Sequence, residues 1–381
     1  MKIDLKEYQN KAKKRHIYKT GDKKSIRAIP FFDAVIEGDD IWFSSNEFNG
    51  LFYGNLMSGE TKRLTFFENE PVFSDWMHSS IIKVRDIIIL FPFNTREIVI
   101  CDLADNKIKD TYGLPEEIKL RDAPFCIRNI LKDEESIYLF CENLILLRLD
   151  LRKGMIEKCG CISDEILRLG QQFPNYTTQQ FIIERRIYSP IFNTNKVAII
   201  DIENNKSYIK EIPIERVDGS CFDGKYIWIC GADRMVICDD ELNIIEELES
   251  IGVEENSKPF YQFAVPIGKE VAIFDNANKG IVYIDIEQER YRVQAIELNE
   301  QKKSRWRHCM MPLQTNPQYY LDLDDYSLKN IINDCSVRFM INFEEYLMNA
   351  RKLDLKFLPR NGVLQEGVDC FYLEEFMECL K

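Results

Sequence analysis

Two short stretches share a Trp-x-His core: Trp76-Met77-His78 in "SDWMHSS" and Trp306-Arg307-His308 in "SRWRHCM", 230 residues apart. The chain has only three histidines, so two of them sit in these echoes. Imidazole titrates near neutral pH, and a pair flanked by carboxylates such as Asp75 and Asp122 could supply acid/base chemistry. The alternative is that the two copies are equivalent positions of a repeating fold. Their spacing does not demand a catalytic set, because 63 acidic residues place a carboxylate near almost anything. There is no G-x-S-x-G elbow, P-loop or Gly-rich dinucleotide fingerprint. Twelve cysteines include no C-x-x-C pair; the tightest spacing is Cys159-Gly160-Cys161, with no second pair to complete a zinc site. Most of the others lie in apolar runs such as "IVICDL", "YIWICG" and "MVICDD", where a free thiol acts as a small buried hydrophobe. No catalytic residue, metal or cofactor is assigned.

The elements that must position these residues are mostly strands. The 381 residues are 45% hydrophobic and 30% charged, a composition that can bury a large core. The 24 Phe and 17 Tyr favour strands over helices. No apolar run approaches the roughly 20 residues needed to cross a bilayer. The start, "MKIDLKEYQNKAKKRH", lacks the apolar segment of a secretory signal. The expectation is a cytoplasmic protein with no membrane contact. The net charge of −13 is uneven: residues 1–27 hold ten basic and three acidic side chains, leaving −20 for the remainder. An acidic body repels nucleic acid, so only this basic arm could touch it, and weakly.

One pattern recurs. A few apolar residues lead to Asp or Asn, then a polar turn, at Asn55, Asp102, Asp150, Asp201, Asp239, Asp285 and Asp322, with separations of 47, 48, 51, 38, 46 and 37. Around each copy lie further strand-length runs separated by turn residues; "QFAVPIGKE", "VAIFDNANKG", "IVYIDIEQER" and "YRVQAIEL" make one unit. The carboxylate or amide at the strand end accepts hydrogen bonds from the turn's own backbone. Nearly continuous apolar strands must be covered on both faces, and no single unit can do that alone.

This period and four-strand content resemble the β-propeller families as a class. The kelch double glycine and the Gly-His…Trp-Asp signature of WD40 blades are both absent, so the resemblance is architectural. It implies an all-β propeller over 28–334, with seven four-stranded blades, or six plus an appendage. Residues 1–27 form a basic arm whose "RHIYKT" (15–20) is the candidate for a ring-closing strand in the last blade. Residues 335–381 form a short helical tail, with helices over 337–352 and 370–380 packed on the propeller.

The repeat gives the Trp-x-His copies a location. Each lies in the connection from one blade's outer strand to the next blade's inner strand, in blades 2 and 7, which flank blade 1. Other connections carry Pro-aromatic pairs, Pro124-Phe125 and Pro259-Phe260, and aromatic Tyr176 and Tyr261. The expected second-to-third strand loops are rich in Asn: Asn46, Asn49, Asn94, Asn193, Asn195, Asn276, Asn278 and Asn316. Trp76, His78, Phe125, Tyr176, Phe260, Tyr261, Trp306 and His308 are therefore the candidate binding-face residues. Aromatic surface beside amide donors and acceptors suits a protein, a peptide or a small polar ligand. The expected function is a non-enzymatic binding or scaffold propeller. The alternative is a propeller hydrolase or lyase acting on a sugar or peptide through histidine and carboxylate groups at the central mouth.

Overall fold

A computed structural model of the chain describes residues 26–353, apart from 69, 71, 73–76, 94, 96, 115–126, 133–135, 142–144, 151–152, 173–178, 192, 250, 252–257, 286, 288–289, 297–309, 324 and 334. Seven four-stranded antiparallel sheets follow one another, each built from four consecutive strands. They span 31–65, 78–113, 127–158, 181–211, 219–249, 261–295 and 310–337 and are numbered here as blades 1 to 7.

Seven apolar clusters occupy the seams between blades. Val35 and Leu51 of blade 1 meet Ile81 and Leu90 of blade 2, and the pattern continues around the molecule. The seventh cluster joins Leu313, Leu321 and Leu328 of blade 7 to Phe31, Phe43 and Phe52 of blade 1, which closes the ring. The architecture is a seven-bladed β-propeller, and the count of seven expected from the repeat holds.

The turn chemistry holds as well. Asn55 Oδ1 accepts the Ser58 N–H at 3.0 Å, and Asp150 accepts that of Lys153 at 3.0 Å. Asp201 accepts the Asn204 N–H at 2.9 Å, and Asp239 that of Asn243 at 2.7 Å. Asn55, Asp150 and Asp201 end the third strand of their blades, and Asp239 directly follows its own. Asp322 is the exception. It ends the second strand of blade 7, Tyr319–Asp322, and the true seventh copy is Asn330, 45 residues after Asp285. Asn330 Oδ1 accepts the Ile332 N–H at 2.7 Å, closing the same turn. Asp322 is instead buried between two ammonium groups, Lys279 Nζ at 3.2 Å and Lys329 Nζ at 2.8 Å, tying blade 6 to blade 7. Asn316 also moves: it lies between the first and second strands of blade 7, on the face opposite the other Asn loops.

Ring closure differs from the expectation. Blade 7 draws all four strands from its own segment, the last being Ser336–Val337. "RHIYKT" lies outside the described residues. The N-terminal strand Ile26–Ala28 pairs instead with Met340–Asn342 in a two-stranded ribbon outside the blades. The helix expected over 337–352 is shorter for the same reason. From Arg338 to Phe343 burial alternates residue by residue, a strand period that positions the ribbon. The described tail helix is Phe343–Lys352; 370–380 lies outside the described residues. A further helix, Asp164–Gln172, sits in the connection from blade 3 to blade 4, with Ser163 Oγ accepting the Ile166 N–H at 3.4 Å as its cap.

The ribbon and tail helix clasp the seam between blades 7 and 1. Phe339 lies 5.2 Å from Phe43 and 6.2 Å from Phe31, ring to ring. It fits because blade 1 carries Gly54 beneath it: a Cβ there would stand 2.5 Å from Phe339 Cε1. Tyr346 packs against Phe48 and Phe66, each at 5.5 Å, and Arg27 stacks over Phe343 at 3.8 Å. The buried Tyr346 hydroxyl donates to the Val72 carbonyl at 2.6 Å, with the Asn49 carbonyl at 3.2 Å. Tyr346→Phe keeps the packing and removes the hydroxyl bond, while the Val72 carbonyl keeps the Asn49 N–H at 3.0 Å, so it should lower unfolding stability by about 1 kcal/mol in urea titration. An unchanged midpoint would show that the hydroxyl bond does not hold the clasp.

Candidate functional site

In an antiparallel blade the first strand runs away from the preceding connection and the second runs back toward it. The connections between blades and the second-to-third strand loops therefore share one face, called upper here. At the upper end of the seam between blades 1 and 2, one polar group follows another. Ser44 and Ser45 end the second strand of blade 1, and Asn46 and Asn49 lie in the loop after it. His78, Ser79 and Ser80 begin the inner strand of blade 2, and Thr95 follows its second strand. All are buried.

Some of these groups are fully engaged locally. Ser45 Oγ accepts the Phe48 N–H at 3.0 Å. The Asn49 amide accepts the Phe67 N–H at 2.8 Å and donates to the Phe67 and Glu70 carbonyls, each at 2.9 Å. It is a turn brace. His78 spans the seam: its Nδ1 is 2.9 Å from Ser44 Oγ, and its ring meets Phe67 edge-on at 4.8 Å. Asn46 Oδ1, His78 Nε2, Ser79 Oγ and Thr95 Oγ1 have no hydrogen-bond partner.

The repeat explains the place of His78. Strand pairing skips a residue after His78, and the same bulge follows Phe31 in blade 1, Ile127 in blade 3 and Tyr261 in blade 6. His78 thus occupies the position that blades 1 and 6 fill with the large buried rings of Phe31 and Tyr261. Behind the bulge lie the buried polar residues Asp33, Ser79 and Gln262. Asp33 accepts the Ile81 N–H of blade 2 at 3.3 Å and the Gln314 N–H of blade 7 at 3.0 Å. Ser80 Oγ reaches Gln314 Oε1 at 2.9 Å. Across the ring, Gln179 plays the matching part. Its carbonyl accepts from Ser220 Oγ and its Oε1 from the Ala264 N–H, both at 2.9 Å, joining blades 4, 5 and 6. Asp33 was the missed residue with a legible signal, a carboxylate inside the apolar run "IPFFDAVI".

Of the eight candidate residues, three are described. His78 is 3% exposed, Phe260 8% and Tyr261 0%. Phe260 has its N–H on Asp275 Oδ1 at 3.1 Å, and Tyr261 packs in the seam between blades 5 and 6. Trp76, Phe125, Tyr176, Trp306 and His308 lie outside the described residues. The pair Cys159 and Cys161 is hydrogen-bonded thiol to thiol, which pulls Cys161 down to about 7 and pushes Cys159 up. No group of three or more metal-ligating side chains occurs among the described residues. No described helix is long and apolar enough to cross a membrane.

Burial sets the charge of His78 and of Asp33 on the inner strand of blade 1. Desolvation lowers His78 from 6.5 to about 3, so the ring is neutral at physiological pH. Desolvation raises Asp33 from 3.8 to about 7, outweighing the amides that favour its anion. The linkage signs oppose. Asp33 contributes stability below pH 4 that is lost as pH rises toward 7, since the folded state keeps the proton longer. His78 contributes stability above pH 6.5 that is lost as pH falls toward 3, since only the unfolded chain binds the proton. Between pH 4 and 6.5 the two slopes, each up to about 1.4 kcal/mol per pH unit, offset one another. Asp33→Asn should unmask stability that rises with pH across that window, and His78→Gln stability that falls. Denaturant midpoints measured from pH 4 to 7 check both signs; identical profiles for the two variants would refute them.

No family model matches the sequence, and no curated protein is similar to it. Solved structures are similar in fold. The Cps50 (Swd1) β-propeller domain of Myceliophteria thermophila aligns with a TM-score of 0.53 at 10% identity, covering 83% of this chain and 99% of that one. A chain of the Mitotic Checkpoint Complex aligns with a TM-score of 0.50 at 10% identity, covering 85% and 95%. The extracellular domain of a putative hybrid two-component system from B. thetaiotaomicron aligns with a TM-score of 0.52 at 13% identity; 79% of this chain is covered and 36% of that one, so the chain spans about a third of its length. These likenesses are of fold.

Proposed function

We propose that the chain is a non-enzymatic binding or scaffold propeller that presents its upper face to a protein or peptide partner. The observation that carries this reading is an asymmetry of connection length. On the opposite face every connection within a blade is six residues or shorter, whereas the connections between blades on the upper face run from 7 to 22 residues. Chain length beyond what a turn requires gathers where partners are contacted in rigid repeat scaffolds. Five of the eight candidate side chains, Trp76, Phe125, Tyr176, Phe260 and Trp306, are aromatic residues in those connections. Aromatic anchors of this kind carry much of the energy in protein interfaces.

The hydrolase or lyase reading draws less support. A general base needs a pKa near the working pH, and His78, at about 3 and held against Ser44, is far from it. That a chain of the same fold occurs in a solved multi-protein complex, the Mitotic Checkpoint Complex, is in keeping with a scaffold role.

The test is affinity capture with the full chain. Wild type, a Trp76→Ala/Trp306→Ala variant and a Met57→Ala control on the opposite face would be compared, Met57 being 79% exposed at a blade 1 turn. A protein captured by wild type and the control but lost, by at least tenfold, from the double variant supports the upper face as the interface. Equal capture by all three, with the double variant folded, sinks it.

A further inference from the structure

We infer that the upper end of the seam between blades 1 and 2 is a binding site for a small, uncharged, hydroxyl-bearing molecule, held by Asn46, His78, Ser79 and Thr95. This site is separate from the partner surface argued above. Among the described residues, four of the eight buried side-chain polar atoms without a partner lie at the upper ends of the adjoining blades 1 and 2: Asn46 Oδ1, His78 Nε2, Ser79 Oγ and Thr95 Oγ1. Their residues are 5%, 3%, 8% and 4% exposed. Buried polar groups are almost always satisfied, so a concentration of open ones marks a place where hydrogen-bonding atoms from outside the chain belong. The neighbours rule out general misfit at this end, since Ser45 and Asn49 are satisfied by well-formed local bonds.

The chemistry of the four groups selects the ligand. The Asn46 oxygen only accepts. The two hydroxyls each donate and accept. His78 Nε2 takes the role complementary to whatever Nδ1 does with Ser44 Oγ, 2.9 Å away. A hydroxyl is the one common group that answers all of these, since it donates to Asn46 and exchanges either role with the others. None of the four is charged, as the imidazole is neutral. A phosphate or carboxylate finds no cation in this set, and an ammonium finds no carboxylate. Among the described residues, buried Asp33 is committed to the amides of Ile81 and Gln314, and buried Glu70, in the connection into blade 2, is not one of the open groups. The Phe67 ring edge against His78 and the buried Phe93, stacked on Phe32 of blade 1 at 5.9 Å, add apolar surface, which suits the carbon skeleton of a polyol or single sugar ring.

The experiment titrates glycerol, myo-inositol and glucose against the full chain by ligand-observed NMR, with Asn46→Ala and Thr95→Val alongside. At least one probe should bind wild type saturably, and each variant should weaken it about tenfold, the loss of one neutral hydrogen bond at the upper end of its usual range. No saturable binding by any of the three overturns the proposal, as does binding that survives both variants. Thr95→Val supplies an independent reading through its melting temperature without probe. A rise, with no probe bound to wild type, means the hydroxyl is simply unsatisfied; a high-resolution structure with ordered water only at the four atoms means solvent fills the site. Either result sinks the ligand reading. Partner capture by the same two variants separates this site from the upper-face interface, because a failed sugar site would leave capture untouched.

Discussion

Everything in this molecule depends on closing the seventh seam. Each blade is apolar on both faces, so a blade with one bare face would expose a full sheet of Ile, Val, Leu and Phe to water. Six seams are held by chain continuity between consecutive blades. The seam between blades 7 and 1 must be held by something else, and here it is not an exchanged strand among the described residues. The chain past blade 7 turns into a ribbon with Ile26–Ala28 and then a helix, and Phe339, Phe343, Tyr346 and Leu347 are driven into the junction. Burying side chains of that size contributes about 1.5–3 kcal/mol each, enough to offset ordering the tail. Gly54 is the counterpart on the other side, absent of side chain where Phe339 needs the space.

A ring closed by apolar seams still has to accommodate inner strands whose polar groups face a crowded centre. The solution is a set of side chains that take over backbone hydrogen bonding between blades. Asp33 bridges blades 7, 1 and 2, Gln179 bridges 4, 5 and 6, and the Asn276 amide both accepts from and donates to the Met310 backbone to join blades 6 and 7. Each replaces ladder bonds that neighbouring blades cannot form directly. The lysine pair around Asp322 does the same work with charge, and being buried it specifies the contact more than it stabilises it.

How much of this was legible follows from the range of each interaction. The blade period was readable because the turn ending each third strand is local: Asn55, Asp150, Asp201 and Asp239 bond residues three or four further on. The seventh copy slipped by one strand because "YYLDLDD" carries the same local pattern, and only pairing with Lys279, 43 residues away, distinguishes its aspartate. The tail was read as helix because "VRFMINFEEYL" supports both periods, and the choice is made by a strand near the other end of the chain. The seam of His78 with Ser44 is equally non-local, so a histidine that looked available for chemistry proved to be buried.

The histidine of the first Trp-x-His copy, His78, has a definite place in the ring. His78 stands where blades 1 and 6 put Phe31 and Tyr261, at the head of the bulge, and its ring packs against Phe67. Packing alone would be served by either of those residues at lower desolvation cost. What the imidazole adds is one bond to Ser44 and one nitrogen left open, beside a serine, a threonine and an asparagine oxygen that are open too. A position used for packing in blades 1 and 6 has become polar in blade 2, and its neighbours on two strands and two loops are polar with it. Such a change is costly at a single seam unless something occupies the opened bonds, which is why blade 2, rather than the ring as a whole, is where this propeller departs from its own repeat.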